Sequence, residues 1–188
     1  MSAGEKLTIR DITGSKFSAK MVNGMNPISG TDTYARIEGK KIVSYSFKTG
    51  KQVSVLFDAD NTIGKKIDGF DSYIFSPDGK RMLIQTKTEK IYRRSYKAEF
   101  YIYNIASRRL DPLSDGGPQQ VPTWSNDGLQ VAFVRDNNIF LVKLLYDNAE
   151  IQVTKDGKFN EVINGLPDWV NEEEFGFNRA LTFNADGT

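Results

Sequence analysis

Apolar and polar residues alternate with a period of two along most of the chain, in runs too short for helices. Thr33 to Ile37 and Ile42 to Phe47 read as strands joined by Glu38-Gly39-Lys40, and Thr49-Gly50-Lys51 turns the chain into Gln52 to Phe57. A second set follows: Phe70 to Phe75, Arg81 to Thr86, Ala98 to Asn104, and a short Arg109 to Leu113 limited by Pro112. The third set is Val121 to Trp124, Gln130 to Arg135, Ile139 to Leu144 and Ile151 to Thr154, with Asp136-Asn137 as a tight link. β-Branched and aromatic residues within each run, and Gly or Asp at its ends, favour strand over helix. Leu7 to Ile12 also alternates and is expected to form a short strand ahead of these sets.

A turn signature of the form Ser/Asn-x-Asp-Gly punctuates the sets. It occurs at Ser76 to Gly79, Ser125 to Gly128 and Asn184 to Gly187, after a degenerate copy at Ser29 to Asp32. The copies start at Ser29, Ser76, Ser125 and Asn184, at intervals of 47, 49 and 59 residues. Four short strands per repeat of this length predict an all-β fold, a β-propeller fragment of about three to four four-stranded antiparallel blades. The approximate units are 20–57, 70–113, 121–154 and 165–188. A β-sandwich with similar hairpins is the competing architecture. The last Asp-Gly turn lacks the strand it should introduce, so the chain is expected to be part of a larger propeller with an unprotected edge that favours self-association.

The last interval is longer than the others, and the surplus holds an acidic insertion, 164–175, with three consecutive glutamates. A second surplus, Lys87 to Lys97, lies between the second and third strands of its own unit and carries Tyr92, Arg93, Arg94 and Tyr96. In an antiparallel meander, the loop between strands two and three and the linker between blades emerge at the same end. Both surplus segments are therefore expected on one face, one basic and aromatic, the other acidic. Asn171 to Glu174 fits a capping box, with Asn171 as N-cap and the carboxylates in a first helical turn. Neighbouring carboxylates repel by ~1 kcal/mol in water and ~4 kcal/mol at intermediate dielectric, and a ligand ammonium, a metal ion or an arginine relieves this. The plainer alternatives are a decorated short helix and a solvated loop. Tyr92 and Tyr96 read as packing residues, Trp124 as blade core, and Trp169 beside Asp168 as an anchor for the helical turn.

Charge and composition narrow the functions. With 25 basic and 24 acidic residues the net charge is +1, which removes the electrostatic argument for a nucleic-acid partner. No apolar run approaches the length of a membrane span, and no signal peptide is visible at Met1. The absence of cysteine removes a disulfide framework or thiolate nucleophile, and the absence of histidine excludes a Ser-His-Asp triad within these residues. No cofactor-binding motif is present. An all-carboxylate site is disfavoured by zinc. Catalysis would need residues outside these 188.

Three segments together resemble the dipeptidyl peptidase IV family of exopeptidases, relatives of prolyl oligopeptidase. Asn164-Gly165-Leu166-Pro167-Asp168-Trp169-Val170-Asn171-Glu172-Glu173-Glu174-Phe175 is similar to the family's Asp-Trp-Val-Tyr-Glu-Glu-Glu segment. Ile91-Tyr92-Arg93-Arg94-Ser95-Tyr96 resembles its aromatic-Arg-His-Ser-Tyr segment, and Val134 to Phe140 its strand–Asn-Asn–strand hairpin. The resemblance implies an eight-bladed N-terminal propeller, of which this chain holds about half, and a C-terminal α/β-hydrolase domain with a serine triad. It implies release of N-terminal Xaa-Pro or Xaa-Ala dipeptides from peptides with a free N-terminus. It further implies a homodimer in the periplasm or outside the cell. Carried over residue by residue, Glu173 and Glu174 would grip the substrate α-ammonium and Arg93 would approach the first carbonyl. Glu172, Tyr92, Arg94, Asp168 and Trp169 are possible supporting residues. Asn171 stands where the family often has tyrosine and Arg94 where it often has histidine, which leaves Arg94 as a second candidate for the carbonyl. A non-catalytic propeller that binds a peptide or protein is the alternative, and a metal site at Glu172 to Glu174 a third reading.

Overall fold

The computed structural model describes residues 6–18 and 24–187. The start of the first expected unit at residues 20–23, the Met1 end and Thr188 lie outside the described residues. Three antiparallel four-stranded meanders follow one another along the chain. The first comprises β1 (Asn26–Pro27), β2 (Thr33–Glu38), β3 (Lys41–Ser46) and β4 (Gln52–Asp58). The chain then adds β5 (Ile63–Gly64) before the second meander, β6 (Ser72–Phe75), β7 (Arg81–Lys90), β8 (Tyr96–Asn104) and β9 (Arg109–Pro112). The third is β10 (Gln120–Trp124), β11 (Gln130–Arg135), β12 (Asn138–Lys143) and β13 (Ala149–Gln152). Two short helices, α1 (Ile9–Thr13) and α2 (Trp169–Phe175), flank the sheets.

Each meander is a propeller blade, and the core lies between consecutive blades. Alternation along the middle sheet divides its side chains between two interfaces. Met82, Ile84, Tyr101 and Tyr103 pack with Ala35, Ile42 and Phe57 of the first blade. Leu83, Phe100 and Ile102 face the other way, onto Trp124, Val131, Phe133 and Phe140 of the third. Because both faces of this sheet are covered, its strands read as nearly continuous apolar runs. Edge-on aromatic pairs tighten the first interface, with Phe57 and Tyr103 ring centroids 4.8 Å apart.

The Asp-Gly turns of the second and third blades share one construction. Ser76 Oγ donates to Asp78 Oδ1 and accepts from Arg81 N–H, while Lys80 N–H donates to the same carboxylate. Ser125, Asp127, Leu129 and Gln130 repeat these bonds. Gly79 and Gly128 take φ of 68° and 69°, the left-handed conformation such a turn needs. Consecutive turns also touch: Asn126 Nδ2 donates to Asn184 O at 2.9 Å and Gln130 Nε2 to Gly187 O at 3.0 Å.

Three expectations are corrected. Leu7 to Ile12 is not a strand; α1 forms over Ile9–Thr13, capped by Thr8, whose hydroxyl accepts from Asp11 N–H while the Asp11 carboxylate accepts from Thr8 N–H. A reciprocal cap outweighs a six-residue alternation when no strand among the described residues pairs with it. The second sheet has five strands, since β5 pairs in parallel with β9 through Ile63 and Gly64. The surplus from Lys87 to Lys97 is largely strand: β7 and β8 continue past a register shift between Thr86 and Glu89, so the hairpin projects beyond its neighbours and turns at 91–95.

Candidate functional site

The projecting hairpin places Arg93 and Arg94 at its tip, and the linker after the third blade brings α2 against it. Gly165 seats the linker. It takes φ of 77°, and a Cβ there would lie 2.7 Å from Val134 Cγ2 and 3.0 Å from Ile139 Cγ1, on the face of β11 and β12. Asn164 N–H donates to Asn137 O and Ala180 N–H to Gly165 O, so both ends of the acidic segment are tied down. Asp136 and Asn137, with φ of 48° and 59°, form the two-residue hairpin turn to which Asn164 attaches.

α2 begins earlier than expected. Its N-cap is Asp168, not Asn171, and the Asp168 carboxylate accepts from Asn171 N–H at 2.8 Å. Pro167 immediately precedes this cap, and aspartate caps as well as asparagine, so the first candidate in the chain takes the position. The shift moves Glu173 and Glu174 from the first turn of the helix to its last. There the unpaired carbonyls make carboxylates unfavourable by ~0.3–1 kcal/mol unless a cation attends them.

Successive residues on a helix point about 100° apart, so three consecutive glutamates cannot face one way. Glu172 turns inward and is 4% exposed. Its Oε1 accepts from the backbone N–H groups of Arg94 at 2.7 Å and Ser95 at 2.8 Å. Burial pushes its carboxyl up, but these hydrogen bonds and the Arg94 charge outweigh burial and hold it below the ordinary value. Glu173 is partly covered and pairs with Arg93, Nε to Oε2 at 3.3 Å. Glu174 is exposed, and among the described residues no cation lies within ion-pair distance of it. The guanidinium of Arg94 lies across Gly176, 3.3 Å from where a Cβ would stand. Arg94 thus lies at the end of the helix with its charge acting on Glu172, and Arg93 is the arginine that pairs with Glu173.

The supporting residues divide. Asp168 caps α2. Tyr92 and Trp169, the first residue of α2, are about half exposed, and both line a cleft of about 750 Å³ beside Glu172, with Phe159 and Ile163. The three carboxylates diverge, which leaves the metal reading without a converging ligand set. Asn178, which sequence reasoning did not single out, donates from Nδ2 to Arg94 O at 3.0 Å. The inward role of Glu172 depends on where α2 starts, which the sequence placed at Asn171 rather than Asp168; that of Asn178 had no signal in the sequence.

A family model for the dipeptidyl peptidase IV (DPP IV) N-terminal region matches residues 76–188, the stretch that holds both the hairpin tip and the acidic helix. The chain belongs to this family. Among relatives of the DPP IV N-terminal region, the chain is 33% identical to prolyl endopeptidase FAP of Bos taurus over 174 residues, which are 92% of this chain and 22% of that protein. It is 41% identical to a probable dipeptidyl-aminopeptidase B of Chaetomium globosum over 128 residues, 66% of this chain and 14% of that one. The crystal structure of Porphyromonas gingivalis dipeptidyl peptidase 4 matches at a TM-score of 0.86 and 37% identity, over 98% of this chain and 27% of that one. The chain spans less than a third of the length of each.

Proposed function

We propose that this chain is the substrate-selecting part of a serine exopeptidase that releases N-terminal dipeptides, Xaa-Pro or Xaa-Ala, from peptides. The observation that carries the reading is the meeting of Arg93 and Glu173 at 3.3 Å, from segments 80 residues apart, with the free carboxylate of Glu174 next along the helix. An α-ammonium donates and a peptide carbonyl accepts, so a site for a peptide N-terminus needs carboxylates beside a guanidinium. The carboxylates at the carbonyl end of α2 are short of positive charge, and an incoming ammonium supplies it.

The arrangement also measures length. A dipeptide reaches from the glutamates to a reacting serine, and a longer N-terminal extension does not fit between them. These residues contain no histidine and so no Ser-His-Asp triad; by the family resemblance the triad belongs to a further α/β-hydrolase domain, and further blades close the ring. Homodimerisation and a location in the periplasm or outside the cell belong to the same proposal through the family resemblance.

The test is kinetic, in the full-length polypeptide. A hydrogen bond to a charged group contributes about 1.5–3 kcal/mol, which at 1.36 kcal/mol per tenfold is roughly 10- to 150-fold. Glu173→Gln and Glu174→Gln should each lower kcat/KM for an Xaa-Pro amide by that factor. Near-normal activity in either variant would refute the clamp, and a full-length protein without peptidase activity would favour a peptide-binding propeller.

A further inference from the structure

Glu172 is the one glutamate of the three that the clamp does not use, yet it is the most deeply buried. Beside the Ser95 hydroxyl and the Arg94 charge, which also favour its carboxylate, its two hydrogen bonds come from the backbone. The donors are the N–H groups of Arg94 and Ser95, 78 and 77 residues away in the sequence. The Arg94 N–H belongs to the peptide unit that joins Arg93 to Arg94, so Glu172 holds the backbone from which the Arg93 side chain departs. The next peptide unit is held as well: Asn178 Nδ2 donates to Arg94 O at 3.0 Å, and Ser95 N–H returns to Glu172.

Within the hairpin itself the tip is loosely tied. Ile91 N–H donates to Ser95 O at 2.9 Å and Tyr92 N–H reaches the same oxygen at 3.4 Å, and these two bonds close the turn. Neither fixes the peptide units on either side of Arg94. The Arg93 side chain is 69% exposed, so packing does not set its direction. Its reach to Glu173 is therefore set from behind, by a carboxylate and an amide on the segment that carries the acidic pair.

We propose that Glu172, with Asn178, is a positioning residue that fixes the distance between the Arg93 guanidinium and the Glu173–Glu174 pair by gripping the backbone of Arg94. The inference rests on the clamp reading for its effect on substrate, while the grip itself is a property of the fold. A displacement of 1 Å in a positioning group can cost about 100-fold in rate. Both N–H groups converge on one oxygen, Oε1, and that atom survives replacement of Glu by Gln. The proposal therefore separates loss of the acceptor from loss of the charge.

The experiment is a double-mutant cycle in the full-length protein, read as kcat and KM on an Xaa-Pro amide substrate, with amide exchange measured over residues 91–97. Glu172→Ala should lower kcat/KM about 30- to 100-fold and speed exchange at Arg94 and Ser95, and Glu172→Gln should cost less than about tenfold. In an Arg93→Ala background, Glu172→Ala should cost no more than about threefold further, because its effect passes through Arg93. Multiplying effects in the double variant would show that Glu172 acts by supporting α2 alone and would overturn the proposal, as would Glu172→Ala activity within threefold of the unaltered protein. Should Glu172→Ala not fold, Asn178→Ala makes the same test without orphaning the N–H groups of Arg94 and Ser95. It should cost about three- to tenfold, vanishing in the Arg93→Ala background, and an effect that persists there, or no effect, overturns the proposal. Glu173→Gln separates the two claims. A silent Glu173→Gln with a non-multiplying cycle defeats the clamp and leaves the positioning, whereas an impaired Glu173→Gln with a normal Glu172→Ala defeats the positioning alone.

Discussion

Replacing Gly165 by alanine tests whether the acidic helix is held by the close fit of its linker to the third blade. The new Cβ would stand 2.7 Å from Val134 Cγ2, 3.0 Å from Ile139 Cγ1 and 3.1 Å from Leu181 Cδ2, and Val134 is fully buried. Overpacking of this kind costs about 1–3 kcal/mol. The φ of 77° adds about 1–2 kcal/mol for a residue with a Cβ, and the stiffer unfolded chain offsets about 0.4–1 kcal/mol of this. The destabilisation should therefore come to roughly 1–4.5 kcal/mol, if the linker stays seated. Urea unfolding followed by tryptophan fluorescence is suited to the measurement, because Trp124 is buried between the blades and Trp169 is exposed on α2. The alternative to paying this cost is for the linker to lift from β11 and β12, which would alter the Trp169 signal with little change at Trp124. A Gly165→Ala protein with unaltered stability and unaltered Trp169 fluorescence would show that the linker is not held by this contact, and the placement of α2 would need another cause.

Three further outcomes are expected. Phe100→Ala, at a residue 1% exposed between the second and third blades, should destabilise by about 3–5 kcal/mol in the same assay, and a loss below 1 kcal/mol would contradict the inter-blade core. Arg135→Lys should destabilise by about 1–3 kcal/mol, measured by the same unfolding curve, since Arg135 stacks on Phe140 at 4.0 Å and pairs with Glu150 at 2.6 Å, and lysine cannot do both. Acid should loosen the hairpin-to-helix attachment. Burial opposes but hydrogen bonding lowers the Glu172 carboxyl, and the Lys87 ion pair lowers that of Glu99. A lowered folded value means that the stabilisation is fully present above the usual glutamate value of 4.5 and fades as pH falls through the folded value. Unfolding curves between pH 6 and about pH 3 should show stability falling on acidification, and a rise would contradict the sign.

The blades were legible in the sequence because their signals are local. Ser76-Pro77-Asp78-Gly79 and Asp136-Asn137 announce turns through residues that tolerate positive φ, and the doubly covered sheet announces itself in Met82-Leu83-Ile84 and Phe100-Tyr101-Ile102-Tyr103. What was not legible depends on pairing at a distance or on a contest between two local preferences. The parallel contact of Ile63 and Gly64 with β9 involves two residues and leaves no periodicity. At Leu7 to Ile12 alternation competed with the Thr8–Asp11 cap, and at Asp168 and Asn171 two equally good caps lay three residues apart. The acidic run showed where the site lies. The division of labour within it, Glu172 inward and Glu173 outward, follows from the helix start, which the sequence left one turn out of place.

The central claim is that the anionic side chains on α2 recognise the charged start of a peptide. Its most direct test is a ratio: kcat/KM for an Xaa-Pro amide with a free amine over that for its N-acetylated counterpart, in the full-length protein and in the Glu173→Gln/Glu174→Gln double variant. The account predicts a ratio of at least about 100 that falls by an order of magnitude or more in the variant, since each carboxylate contributes roughly tenfold or more. A ratio unchanged by the double substitution would contradict it.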